Sequence, residues 1–112
     1  LAMRKDGLLL IENPEAHLHP SSQSRAGTFL ALAASDGAQI FVETHSDHVI
    51  NGVRLAVKGG LIAPEDVKFH YFRKRAQNEA TFVTELSVSG DGHISDWPDG
   101  FFDQIARDLS RL

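Results

Sequence analysis

The rhythm of apolar and polar positions changes near the middle of this 112-residue chain. Leu8-Leu9-Leu10-Ile11 is an apolar run without polar alternation, which suits a strand covered on both faces, as in a parallel sheet. Asn13-Pro14 ends it, because proline has no N–H and restricts the residue before it. From about Ser22 to Ala34 the spacing is helical, with Ala26, Phe29, Leu30 and Ala33 on one face. Ser35-Asp36-Gly37 closes that helix. Gln39 to Glu43 is a second short strand with Ile40, Phe41 and Val42 at its centre. Ser46 can cap a second helix, with Asp47 in the first turn where the helix dipole favours an anion. Val49, Ile50, Val53, Ala56 and Val57 form the buried stripe, and Gly59-Gly60 ends the helix. Strand–helix–strand–helix is the order of a parallel α/β sheet.

After residue 60 the period falls to two. Val67, Phe69 and Tyr71 alternate with Lys68, His70 and Phe72. Ala80, Phe82, Thr84 and Leu86 alternate with Thr81, Val83 and Glu85. Arg75 to Asn78 is the expected hairpin loop. Ser89-Gly90-Asp91-Gly92 is a second turn, and His93-Ile94-Ser95 a short third strand. Asp99 or Asp103 can open a terminal helix with Phe102, Ile105, Ala106 and Leu109 on one side. The expected architecture is α/β: a partial parallel sheet over residues 1–60, then an antiparallel hairpin and helix over 61–112.

Composition narrows the classes. Apolar residues at 42% and charged residues at 23% are globular values. The absence of cysteine excludes a disulfide scaffold, cysteine zinc sites and thiol catalysis. No apolar run approaches the roughly 18 residues of a membrane span, and no secretory signal opens the chain; a cytoplasmic protein is expected. The net charge of -4 argues against a wholly basic binding surface. The run Arg73-Lys74-Arg75 at the hairpin tip is a solvated turn or a phosphate or nucleic-acid contact, and it leaves nucleic acid open as a partner.

The densest chemistry lies where the strands end. Glu12, Asn13, Glu15, His17 and His19 follow the first strand; Thr44, His45 and His48 follow the second. In open parallel sheets, ligands bind outside the carboxyl ends of the strands. Parallel strands would put both clusters at one edge.

LLLIENPEAHLHP resembles the Walker B strand and D-loop of ABC-type ATPases, and IFVETHSDHVIN resembles the strand and switch histidine that follow. The resemblance is closer to the branch related to overcoming-lysogenization-defect nucleases, RecF and SMC proteins. NGVRLAVKGG and WPDGFFDQ look like the C-terminal domain of unknown function found on a set of predicted bacterial ATPases. In such a protein Glu12 stands where the Walker B aspartate holds Mg²⁺ through water. Asn13 stands where a glutamate usually polarises the attacking water. Asparagine can orient a water but cannot take its proton, and Glu15 is the nearest carboxylate that could substitute. His45 matches the switch histidine, which contacts the γ-phosphate and the attacking water. His17 and His19 fall on the loop that faces a partner in the family.

The phosphate-binding loop is not among these residues. It needs Gly-x-x-x-x-Gly-Lys-Ser/Thr, and no glycine here precedes lysine. Ser-Gly-Gly-Gln is also missing, and Ser89-Gly90-Asp91-Gly92 lies on the wrong side of the acidic strand to replace it. The expectation is therefore the C-terminal part of an ABC-like AAA-type ATPase, inactive alone. The full protein would bind and hydrolyse ATP with Mg²⁺ between two heads of a homodimer. Its runner-up is a nucleotide-dependent interaction or nucleic-acid-binding module with little hydrolysis. A third reading, a metal-dependent hydrolase, would use His17, His19, His45, His48, Glu12 and Glu15, all legitimate ligand types for zinc or manganese.

Overall fold

A computed structural model describes residues 7–73, 76–77, 80–95, 101–102 and 104–112. The order is β1 (Leu8–Glu12), α1 (Pro20–Ser35), β2 (Gln39–Glu43), α2 (Asp47–Lys58), a 3₁₀ turn (Pro64–Asp66), β3 (Lys68–Arg73), β4 (Phe82–Ser87) and α3 (Gln104–Arg111). The α/β expectation holds. β1 and β2 pair in parallel, Leu8 with Gln39 through Glu12 with Glu43. β3 and β4 pair antiparallel, Lys68 with Ser87 through Arg73 with Phe82.

α1 begins two residues before the expected start. Pro20 takes the first helical turn, where its missing N–H costs nothing. His19 caps it, its Nδ1 accepting from the Ser21 N–H at 3.4 Å. The buried face also differs from the expected stripe: it runs through Gly27, Leu30 and Ala31, while Phe29 is 51% exposed. The reason is the crossing with α2. A Cβ at Gly27 would lie 2.1 Å from the Val49 carbonyl oxygen, and one at Gly52 would lie 2.0 Å from that of Ser24. The two helices touch backbone to backbone, and that contact fixes which side of α1 is covered.

α2 follows the sequence reading closely. Val49, Ile50, Ala56 and Val57 are buried, and the Ser46 hydroxyl accepts from the Val49 N–H at 3.2 Å. At its far end Gly60 has φ 75°, the Gly60 N–H reaches the Val57 carbonyl and the Leu61 N–H reaches that of Ala56. These two bonds satisfy carbonyls that the helix would otherwise leave open.

One apolar core joins Ala31, Ile50, Ala56 and Val57 to Ile62, Val67, Phe69, Leu86, Val88 and Phe101. The hairpin therefore packs its Phe69–Leu86 face inward and leaves Phe72 and Val83 outward. The expected third strand reduces to a single bridge between Val88 and Ile94. The turn uses up the flanking groups: the Ser89 N–H donates to the His93 carbonyl, and the Arg54 Nε–H of α2 to the Gly92 carbonyl at 2.7 Å. Phe102 precedes α3, at φ 52°, and its ring meets Phe101 edge-on at 4.7 Å. Leu109 is exposed, so it does not join the apolar side expected of it. Lys74 and Arg75 of the basic run, Asn78, Trp97 to Gly100 and both proposed helix starts, Asp99 and Asp103, lie outside the described residues, as do the side chains of Ile105 and Ala106.

The parallel pair is covered on one face only. Leu9, Ile11 and Ile40 are half-buried, whereas Leu8 (64%), Leu10 (71%) and Phe41 (54%) lie open. The expectation of cover on both faces is thus not met within these residues, because they supply helices to one side alone. No helix among the described residues is long and apolar enough to cross a membrane.

Candidate functional site

Parallel pairing brings both polar clusters to one edge. Glu12 and Glu43 are register partners at the carboxyl ends of β1 and β2. They share the open face with Leu8, Leu10 and Phe41, since side chains alternate along a strand. The next step of the ladder is backbone alone: the Asn13 N–H donates to the Glu43 carbonyl at 2.8 Å.

β1 then leaves the sheet through a tight double turn. Asn13 has φ 49° and His17 φ 62°. The Ala16 N–H reaches the Asn13 carbonyl and the Leu18 N–H that of Glu15, both at 3.0 Å. Asparagine enters this left-handed region more cheaply than other residues with a Cβ, apart from aspartate. These turns carry Glu15 across the sheet edge to the loop after β2. There the Thr44 hydroxyl donates to Glu15 Oε1 at 2.7 Å and the His45 N–H to Oε2 at 3.0 Å.

Three further bonds close behind this contact. The Ser46 N–H donates to Thr44 Oγ1 at 3.0 Å, and the Ser46 hydroxyl to Gln23 Oε1 at 2.5 Å. Gln23 Nε2 donates to the Leu18 carbonyl at 2.9 Å. Ser46 is buried, and every buried side-chain polar atom described has a partner. Partial burial pushes the Glu15 pKa up, but the Thr44 hydroxyl and the His45 N–H outweigh it and hold the carboxyl below its ordinary value.

The predicted site residues divide accordingly. Glu12, Asn13 and His45 are exposed at the strand ends, and Glu15 is half-buried between the two loops. His17 is exposed on the double turn, and His19 serves as a helix cap. His48 lies in α2 with its Nε2 3.7 Å from Asp47 Oδ1. The histidines do not converge: among the described residues no group of three or more His, Cys, Asp or Glu side chains could hold a metal. That removes the geometric basis for the zinc or manganese hydrolase reading. Mg²⁺ asks for less, one or two carboxylates with water and phosphate oxygens completing the shell. Glu12 and Glu43 are two carboxylates, donors of that type, at neighbouring strand ends. The network through Thr44, Ser46 and Gln23 is not visible in the sequence. Only the Ser46 cap could be read locally, because the other links span 20 or more residues or depend on side-chain direction.

Residues 2–50 match the family model described as an AAA ATPase domain. Residues 62–112 match the model described as a protein of unknown function, DUF3696. The chain is thus similar to an AAA ATPase domain over its first part and to a domain of unknown function over its second. Nothing among curated proteins or solved structures matches the chain.

Proposed function

We propose that these residues form the acidic-strand and switch-histidine side of an Mg·ATP site, completed by a phosphate-binding loop from sequence outside these 112 residues. The supporting observation is the parallel register that sets Glu12 beside Glu43 and leads directly into Asn13 on one strand and Thr44-His45 on the other. The AAA ATPase match over residues 2–50 supports the same reading.

In this account Glu12, with Glu43 beside it, takes Mg²⁺ through water. The metal would neutralise charge on the phosphates, the main task in phosphoryl transfer. His45 presents its ring from the loop after β2 to the terminal phosphate and the attacking water. Asn13 orients that water without accepting its proton. Residues 1–60 are the ATPase portion and 61–112 its extension, sharing the core that runs from Ala31 to Phe101. A second ATPase head is the partner we assign to the exposed His17–Leu18 turn.

The test is equilibrium nucleotide binding by the complete gene product, with and without Mg²⁺. The expected result is tight binding that weakens about tenfold or more without Mg²⁺ and in Glu12→Gln. Binding indifferent to both would contradict the assignment of the acidic edge.

A further inference from the structure

We propose that Glu15 and Thr44 are a positioning pair that locks the loop carrying His45 onto the double turn after β1, so that the two loops hold or move as one. The inference rests on the reading of His45 as the phosphate-facing histidine.

Both Glu15 oxygens are engaged, and by adjacent residues of one loop: Oε1 by the Thr44 hydroxyl and Oε2 by the His45 N–H. Thr44 Oγ1 also accepts the Ser46 N–H. The ring then returns through Ser46, Gln23 and the Leu18 carbonyl to the same turn that holds Glu15. Residues 44, 45 and 46 are thus each tied, and the Cα from which the His45 ring projects is fixed between two of the ties. Neither loop can shift without breaking a charge-assisted bond.

The turn itself points the same way. Non-glycine left-handed residues at Asn13 and His17 bracket Glu15. Such backbone is unfavourable for a residue with a Cβ and persists only where surrounding contacts hold it. The bonds from Thr44 and His45 are such contacts. They also hold the carboxyl below its ordinary range, which makes Glu15 a weaker proton acceptor near neutral pH. Its chemistry suits an anchor better than a base.

Two measurements test the pair. The first is hydrogen exchange of the His45 amide by NMR in the complete protein, without nucleotide. Glu15→Gln and Thr44→Val should each speed that exchange about tenfold while the core amides of α2 keep their protection. The second is ATP turnover by the complete protein. Each variant should lower kcat by about tenfold, the double variant no further than the worse single one, and the pH profile of kcat should keep its shape in Glu15→Gln. Unchanged His45 exchange in both variants overturns the pair. So does a Glu15→Gln loss of 10²-fold or more with the acid limb of the profile gone and Thr44→Val at full rate, the signature of a general base. If exchange responds as expected but no nucleotide is bound or turned over, the pair stands and the ATPase reading falls. If turnover depends on His45 while exchange does not respond, the reverse holds.

Discussion

Gly27 rests on the main chain of Val49, so close that a methyl group at Gly27 would lie 2.1 Å from the Val49 carbonyl oxygen. Gly52 answers from the other helix against Ser24, and the Thr28 hydroxyl donates to the Gly52 carbonyl at 3.0 Å. The atoms in the way belong to helix backbones and cannot rotate aside. Gly27→Ala and Gly52→Ala should each destabilise the fold by about 3 kcal/mol, since the helices must part. Urea denaturation checks this; changes within about 0.5 kcal/mol in both would show that the crossing is looser than described.

Ser46 caps α2 and is buried, with its hydroxyl between the Val49 N–H and Gln23. Ser46→Ala should cost about 2 kcal/mol, from the lost cap and from Gln23 left short of a donor. Ser46→Thr should recover most of it. Equal loss in both variants, read from thermal melts, would place the effect in packing rather than in the hydroxyl.

At the other end of α2, Gly60 adopts φ 75° with open space around it. Gly60→Ala should therefore lose about 1 kcal/mol from backbone conformation alone. Gly59, whose φ is ordinary, should tolerate alanine better. Denaturant midpoints of the two variants decide it, and the reverse order would contradict the left-handed cap.

Among the described residues, two carboxyls are held below their ordinary values and should contribute to stability at acid pH. Glu15 is held below its ordinary 4.5, and Asp91 is lowered to about 2 from 3.8 by the Ser89 hydroxyl and the His93 N–H. A depressed folded pKa means that the unfolded chain binds protons first as pH falls. The stability that each group lends is therefore complete above its ordinary value and is lost as pH drops through the folded value. The gap in unfolding free energy between the native chain and Glu15→Gln should be constant near neutrality and shrink below about pH 4.5. A gap that does not change with pH would show that the carboxylate bonds do not contribute.

The α/β order, the parallel pair and α2 with both its caps were legible because each rests on short-range signals: an apolar run, a serine before a helical stripe, a glycine pair after it. α1 shows where such signals stop. Its apolar positions at Ala26, Phe29, Leu30 and Ala33 suggest one face, but Gly27 carries the contact that sets another, and a glycine has no hydropathy to announce it. The site divides in the same way. The sequence already places Glu12, Asn13 and His45 at strand ends, where the structure has them. The bonds from Glu15 to Thr44 and from Gln23 to Ser46 cross 29 and 23 residues of sequence, and only the fold brings them together.

We assign His45 and the carboxyl edge beside it to an ATP site. The decisive measurement is steady-state ATP turnover by the complete protein beside His45→Ala. Turnover should depend on Mg²⁺ and fall about 10²-fold in the variant with folding unchanged. Turnover that is absent from the native protein, or equal in the two, would contradict the assignment.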